Sequence, residues 1–323
     1  MQPWREIQKR NFTDIEKLIS FLELDESMVS KVLKHPKFPL NLPERLAQKI
    51  QKKTLNNPIL RQFLPLVDET KIEKEFLADP VSDLCFLKQK KLLHKYTGRA
   101  LLLCSSACAM HCRFCFRQNF PYETEEKLFT KELEEIRQDP SISELILSGG
   151  DPLSLSNRSL QELFLHIKTI PHIKRLRFHS RFPIGIPERI DEEFLAILQT
   201  SPLQIYFILH CNHPQELDAD VCLALKKIQR TAVPVLNQAV LLKGVNDDLP
   251  TLHSLFSTLI NEGILPYYLH QLDKVQGSSH FEVEEKVGLA LIAELKKSLP
   301  GYGVPRYVRE IAGEESKTEL HPV

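Results

Sequence analysis

The chain has 323 residues, enough to bury a sizeable core as one large domain or as one domain with an appendage. Its 42 basic and 42 acidic residues cancel to a formal net charge of zero, so it has no overall basic character to make nucleic acid a general partner. No stretch approaches membrane-spanning length and Met1-Gln2-Pro3-Trp4 is not a secretory signal, so no membrane role is expected and the expected location is the cytoplasm.

Residues 1 to about 80 read as short helices without a strand. Thr13-Asp14 can cap a helix that carries Ile15, Leu18, Ile19 and Leu22 on one face. Pro43 suits the first turn of another helix running toward Lys52, and Asn57 to Pro80 is a proline-punctuated wrapping segment. From residue 100 onward strands alternate with helices. Apolar runs fall at Leu101–Leu103, Leu145–Leu147, Leu176–Phe178, Ile205–Leu209, Val235–Val240 and Tyr267–Leu269. Between them, Leu160, Leu163, Phe164 and Ile167, and again Leu252, Leu255, Phe256 and Leu259, keep the spacing of one helix face. Parallel strands need crossover helices, so the expected fold is α/β: a partial TIM-like (β/α)6 barrel, open because eight units would be needed to close it. The expected division is a helical N-terminal region (1–90), the barrel (91–300) and a short C-terminal segment (301–323).

Four of the seven cysteines fall within residues 104–115. Cys108, Cys112 and Cys115 are spaced x3 and x2 in a loop leaving the first long strand, where active sites of such barrels lie. Thiolates are soft ligands for iron–sulfur clusters or zinc, and three of them can hold three irons of a [4Fe–4S] cluster with the fourth left open. A closed zinc site completed by His111 or Cys104, or a four-cysteine cluster using Cys104, satisfies the same residues on paper. Alternation, however, points Cys104 into the sheet core. Cys85, Cys211 and Cys222 read as small buried hydrophobes. An odd, clustered set does not suit a disulfide framework.

Two further elements gain meaning only beside that loop. Ser148-Gly149-Gly150-Asp151-Pro152 follows the second strand; by itself it is a common turn, although its glycines let backbone approach a ligand closely. Lys317, by default a surface lysine, lies near the end of the chain in Arg309-Glu310-Ile311-Ala312-Gly313-Glu314-Glu315-Ser316-Lys317.

The cysteine loop resembles the signature of radical S-adenosylmethionine (SAM) enzymes, and the whole set resembles the lysine 2,3-aminomutases. Matching stretches include His94–Arg99, Ile173–Arg181, His210–Pro214, Leu236–Gln238, Gly244–Asp247 and Pro266–His270. Leu272–Gly277 with His280-Phe281, and the modest chain length, are similar to the branch that makes β-lysine for elongation factor P. The resemblance implies an isomerase that uses a [4Fe–4S] cluster on Cys108, Cys112 and Cys115, SAM and pyridoxal 5′-phosphate. Lys317 aligns with the family's Schiff-base lysine. Arg99 and Lys95 match basic positions near the pyridoxal phosphate group, and Ser148, Gly149, Gly150 and Asp151 the element that meets SAM, with Asp151 where Glu is usual. His210 and Asn212 fall at the same rim, as SAM or substrate contacts. Arg117 matches the substrate-carboxylate arginine, and Asp273 and Glu310 the acids that take the lysine ammonium; Asp is usual at the second. An electron-donor protein and a ligase acting on elongation factor P are the implied partners. An aminomutase for another amino acid or another pathway, or a non-catalytic iron–sulfur or zinc protein, are the competing readings.

Overall fold

The computed structural model describes residues 3–123 and 129–321. Among the described residues ten strands form one sheet in chain order: β1 (Leu87–Gln89), β2 (Leu92–Tyr96), β3 (Arg99–Ser105), β4 (Glu144–Gly149), β5 (Arg175–Ser180), β6 (Gln204–His210), β7 (Val235–Val240), β8 (Leu265–His270), β9 (Arg306–Arg309) and β10 (Thr318–Glu319). From β3 to β9 every neighbouring pair is parallel, whereas β1–β2, β2–β3 and β9–β10 are antiparallel. The six expected strands are all present as β3 to β8. A seventh parallel strand, β9, follows the helix Glu285–Ser298 and is brief, with arginine at both ends, so no apolar run announces it.

Alternation along the strands decides what each face does. Leu145, Leu147, Leu176, Phe178, Phe207 and Leu209 are buried against the crossover helices. Their neighbours Ile146, Arg177, His179, Ile208 and His210 point the other way and line a central cavity. The helices Asn157–Ile167 and Leu249–Asn261 bury the stripes their sequences promise, Leu160, Leu163, Phe164 and Ile167 on one and Leu252, Leu255, Phe256 and Leu259 on the other. Each such side chain contributes roughly 1.5–3 kcal/mol through the water it leaves.

The N-terminal segment is built from short helices laid over the barrel. Asp14 caps Ile15–Leu22, accepting from the Glu16 and Lys17 amides. The helix after Pro43 is shorter than expected, Glu44–Gln48. Beyond it Lys53 adopts a left-handed φ of 57° and its amide bonds the Leu22 carbonyl at 2.8 Å, which turns the chain back. Trp4 is 1% exposed and meets the Phe182 ring edge-on at 5.3 Å, fastening the first helix to the loop after β5.

Candidate active site

The cysteine loop leaves β3 at Ser105 and is stitched down from two sides. On the barrel side, the Gly150 amide donates to the Ser105 carbonyl (2.6 Å) and the Asp151 amide to the Ala107 carbonyl (2.8 Å). This approach is open only to glycine: a Cβ on Gly150 would sit 2.4 Å from the Ala107 oxygen, and one on Gly149, whose φ is +114°, 2.6 Å from the Ser105 oxygen. On the N-terminal side, Gln8 donates to the Cys108 carbonyl (3.1 Å), Asn11 to the Ala109 carbonyl (2.8 Å), and the Arg113 amide to the Gln62 carbonyl (2.9 Å). The Arg113 side chain is itself buried, ion-paired with Glu69 and bonded to the Phe38 carbonyl.

So held, Cys108, Cys112 and Cys115 line one end of a cavity of about 630 Å³. Cys104 does not: it is buried under the sheet with its thiol toward the Leu102 carbonyl. His111 stacks on Phe38 and its Nδ1 lies 2.9 Å from the Pro39 carbonyl. Neither is placed to complete a closed zinc site. Among the described residues no three His, Cys, Asp or Glu side chains are close enough to grip a single metal ion. Burial pushes all three thiols up, Cys115 to about 11. Thiolates here therefore call for added positive charge, which the irons of a cluster supply, and the donor set suits that group.

Asp151 lines the cavity with the rest of its segment, and its carboxylate is spent within the fold, which leaves the backbone for the contact that the resemblance implies. Its carboxylate accepts from the Ser180 hydroxyl (2.9 Å) and from the amides of Leu153 (2.9 Å), Arg181 (2.9 Å) and Phe182 (3.1 Å). It ties the end of β4 to the end of β5, and burial raises it to about 6 despite those bonds. Asn212 departs from its expectation. It is fully buried, is not among the residues lining the cavity, and bonds Gln62 and the Val240 amide (2.8 Å), joining the ends of β6 and β7. His210 does line the cavity. Its Nε2 is buried without a partner, as is that of His179, and burial keeps both neutral, His210 at about 3. Buried polar atoms left open at a cavity wall fit a polar ligand such as SAM.

The far part of the same cavity carries the charges. The Arg117 guanidinium is buried, with Nε 2.7 Å from Asp83 and Nη1 3.4 Å from the Ser148 hydroxyl. Lys317 and Glu310 stand 2.6 Å apart. Lys95, matched to a basic position near the phosphate, lines the cavity half-buried and engaged: its Nζ lies 2.6 Å from Glu310 and donates to the Val81 carbonyl at 3.0 Å. The acid has a stronger claim on it than solvent, because a buried carboxylate needs cations. The Tyr96 hydroxyl also donates to Glu310. Burial alone would raise Glu310, but Lys317, Lys95 and Tyr96 together hold it down at about 2. Asp273 lines the same wall, and there burial wins, lifting it to about 7 against the pull of Lys317. Arg99 lies over the Tyr96 ring at 4.6 Å, and Arg177 lines the cavity with its Nε unpartnered. An amine with basic groups on the same walls fits pyridoxal phosphate.

Every expected site residue except Asn212 therefore lines one cavity. Sequence reasoning did not single out Asp83, Tyr96, Arg177, His179, Arg181 or His270. Tyr96, Arg177, His179, Arg181 and His270 sat inside stretches already matched to the family, and barrel-facing alternation could have selected several of them. Asp83 carries no such signal.

Three thiols at the mouth of an open parallel barrel, beside a glycine rim, define the class of radical SAM enzymes. A family model described as "4Fe-4S single cluster domain" matches residues 97–178. An L-lysine 2,3-aminomutase of Escherichia coli is 41% identical over 95% of this chain and 91% of its own length, and one from Haemophilus influenzae 39% identical over 98% and 95%. One from Clostridium subterminale is 29% identical over 99% of this chain and 78% of its own length. Among solved structures, "Native anSMEcpe with bound AdoMet" superposes with a TM-score of 0.47 at 12% identity, covering 61% of this chain and 58% of that one. The chain belongs to the L-lysine 2,3-aminomutase family.

Proposed function

We propose that this chain converts L-lysine to β-lysine by moving the 2-amino group to carbon 3, and that the product is destined for elongation factor P. The observation that carries the reading is one cavity that holds three thiols at one end and, further in, an arginine, two carboxylates and an anchoring lysine. When bound, the cluster with SAM supplies a hydrogen-abstracting radical and pyridoxal phosphate carries the amine during its migration. The chain's own residues supply position and charge. Arg117, braced by Asp83, offers its fork to the α-carboxylate. Asp273 and Glu310 receive the side-chain ammonium, whose burial without acids would be prohibitive. Lys317 offers the attachment amine, and Glu310 neutralises that amine's charge whenever it is free. Two acids in this position favour a cationic side chain over glutamate.

The elongation factor P assignment rests on the resemblance of Leu272–Gly277 and His280-Phe281 to that branch. It entails a protein electron donor and a ligase that consumes β-lysine. The test is an anaerobic assay of reconstituted protein with SAM, pyridoxal phosphate, reductant and labelled lysine. Labelled β-lysine, absent with Lys317→Ala, is the expected result. Methionine and 5′-deoxyadenosine without β-lysine would overturn the substrate assignment.

A further inference from the structure

Beneath the cysteine loop lies a buried charge network that the proposed chemistry does not use. Arg181, at the end of β5 and 6% exposed, donates from Nη1 to the Cys112 sulfur at 2.9 Å. Its Nη2 donates to Gln62 Oε1 (2.6 Å) and to Glu216 Oε2 (2.8 Å). Gln62 returns an amide hydrogen to Glu216 at 3.0 Å, and Asn212 donates to Gln62 at 3.0 Å. Gln62, Asn212 and Glu216 are all fully buried. The Phe63 and Phe114 rings lie 5.1 and 5.6 Å from the Arg181 guanidinium carbon.

Of the three guanidinium nitrogens, Nη2 has built partners in Gln62 and Glu216, Nη1 meets the sulfur, and Nε is buried without a partner. Removing a charge from water is costly, and a fully buried glutamate kept only to hold an arginine would be a poor way to stabilise a fold. The same arrangement is useful if the sulfur is a cluster ligand. Hydrogen bonds and charges at ligating sulfurs set a cluster's reduction potential, and a cation there favours the reduced, more negative form. Glu216 opposes it from one shell further out.

We infer that the Arg181–Glu216 pair sets the reduction potential of the cluster through Cys112, with Arg181 raising it and Glu216 limiting the rise. The inference rests on the cluster reading above. It makes Arg181 a tuning residue whose effect is read in the potential itself, apart from turnover.

The experiment is a redox titration of the cluster-loaded protein without SAM, followed by electron paramagnetic resonance. Arg181→Gln is expected to lower the potential by at least tenfold in the reduction equilibrium, 59 mV for one electron. Arg181→Lys, which keeps the charge and loses the fork, lowers it less. Glu216→Gln, which keeps the shape and removes the opposing charge, raises it by threefold or more, about 28 mV. A cluster-loaded Arg181→Gln protein within twofold of wild type, about 18 mV, would overturn the inference, as would a fall in Glu216→Gln. If Arg181→Gln takes up no iron, the opposite shifts of Arg181→Lys and Glu216→Gln support the inference, and an unshifted Glu216→Gln overturns it. Wild-type protein that takes up no iron and sulfide would sink the cluster reading itself, which the metal and sulfide assay registers before any titration begins.

Discussion

Lys317 and Glu310 face each other across the last hairpin, one pair beyond the rung that joins Thr318 of β10 to Arg309 of β9. The amine proposed above as the cofactor anchor therefore has a built-in counter-ion, set by strand register alone. Glu310→Gln keeps the shape and removes the charge. It is expected to raise KM for lysine by about 10- to 100-fold, the worth of a hydrogen bond to a charged group. Glu310→Asp, which shortens the arm but keeps the charge, should stay within about tenfold of wild type in kcat/KM. Steady-state kinetics on the two variants checks this, and equal losses would remove the charge from the explanation.

The pH dependence of lysine binding should follow Asp273. Burial raises its carboxyl to about 7, so Asp273 itself is largely neutral in the unliganded site below that value. The carboxylate must ionise to pair with an ammonium, so affinity rises with pH. The expected change is about tenfold tighter binding at pH 8 than at pH 6. Stability moves the other way: the folded chain binds a proton that the unfolded chain has lost, so Asp273 subtracts stability as pH climbs from about 4 to about 7. Asp273→Asn should flatten both profiles, measured by calorimetric titration and thermal unfolding.

Asp83 is expected to act through Arg117. Asp83→Asn leaves a buried guanidinium with a weaker partner and more freedom. KM for lysine should rise about tenfold while kcat changes less than about threefold. A loss confined to kcat would point away from carboxylate positioning.

Substitution at Gly150 tests the loop without any cofactor. An alanine Cβ would press into the Ala107 backbone at 2.4 Å, where nothing flexible can give way. Gly150→Ala is expected to cost about 2 kcal/mol or more, a drop of several degrees in the melting temperature of iron-free protein.

The four clustered cysteines should separate cleanly by iron and sulfide analysis. Loss of Cys108, Cys112 or Cys115 removes a ligand from the cavity wall, and the reconstituted chain should fall well below about four iron per molecule. Cys104→Ala should leave iron and sulfide content unchanged, since its sulfur lies in the sheet core.

The barrel was legible because its signal is repeated. Six apolar runs separated by amphipathic stretches over-determine a parallel sheet even though five of them are read two to four residues short. The strands that escaped, β1, β2, β9 and β10, sit at or near the two edges of the sheet and are brief or charged. The cysteine loop was legible because spacing along the chain is itself the chemical signal. What spacing does not convey is who pairs with whom. For Lys95 the charge was visible, but its acid partner, more than 200 residues away, was not. Asn212 read as a rim contact because strand ends are where ligands bind, yet strand ends must also be tied to one another, and its side chain does that work; the Asp151 carboxylate does the same from a position on the cavity wall. Cys85, read as a core residue, is exposed, since it falls in a short turn rather than on a buried face.

β10 is only two residues long, and the residues between it and β9 are largely exposed, turning at Gly313 where a side chain would meet open space. Lys317 is thus carried on a light arm rather than on a barrel stave. Elements with few buried contacts shift at little cost compared with the core of a fold. The attachment point proposed above, which must hold one molecule and then yield its place to another, can swing on that arm while Arg117, Asp273 and the cysteine loop stay in the loops that the strand ends of the barrel hold.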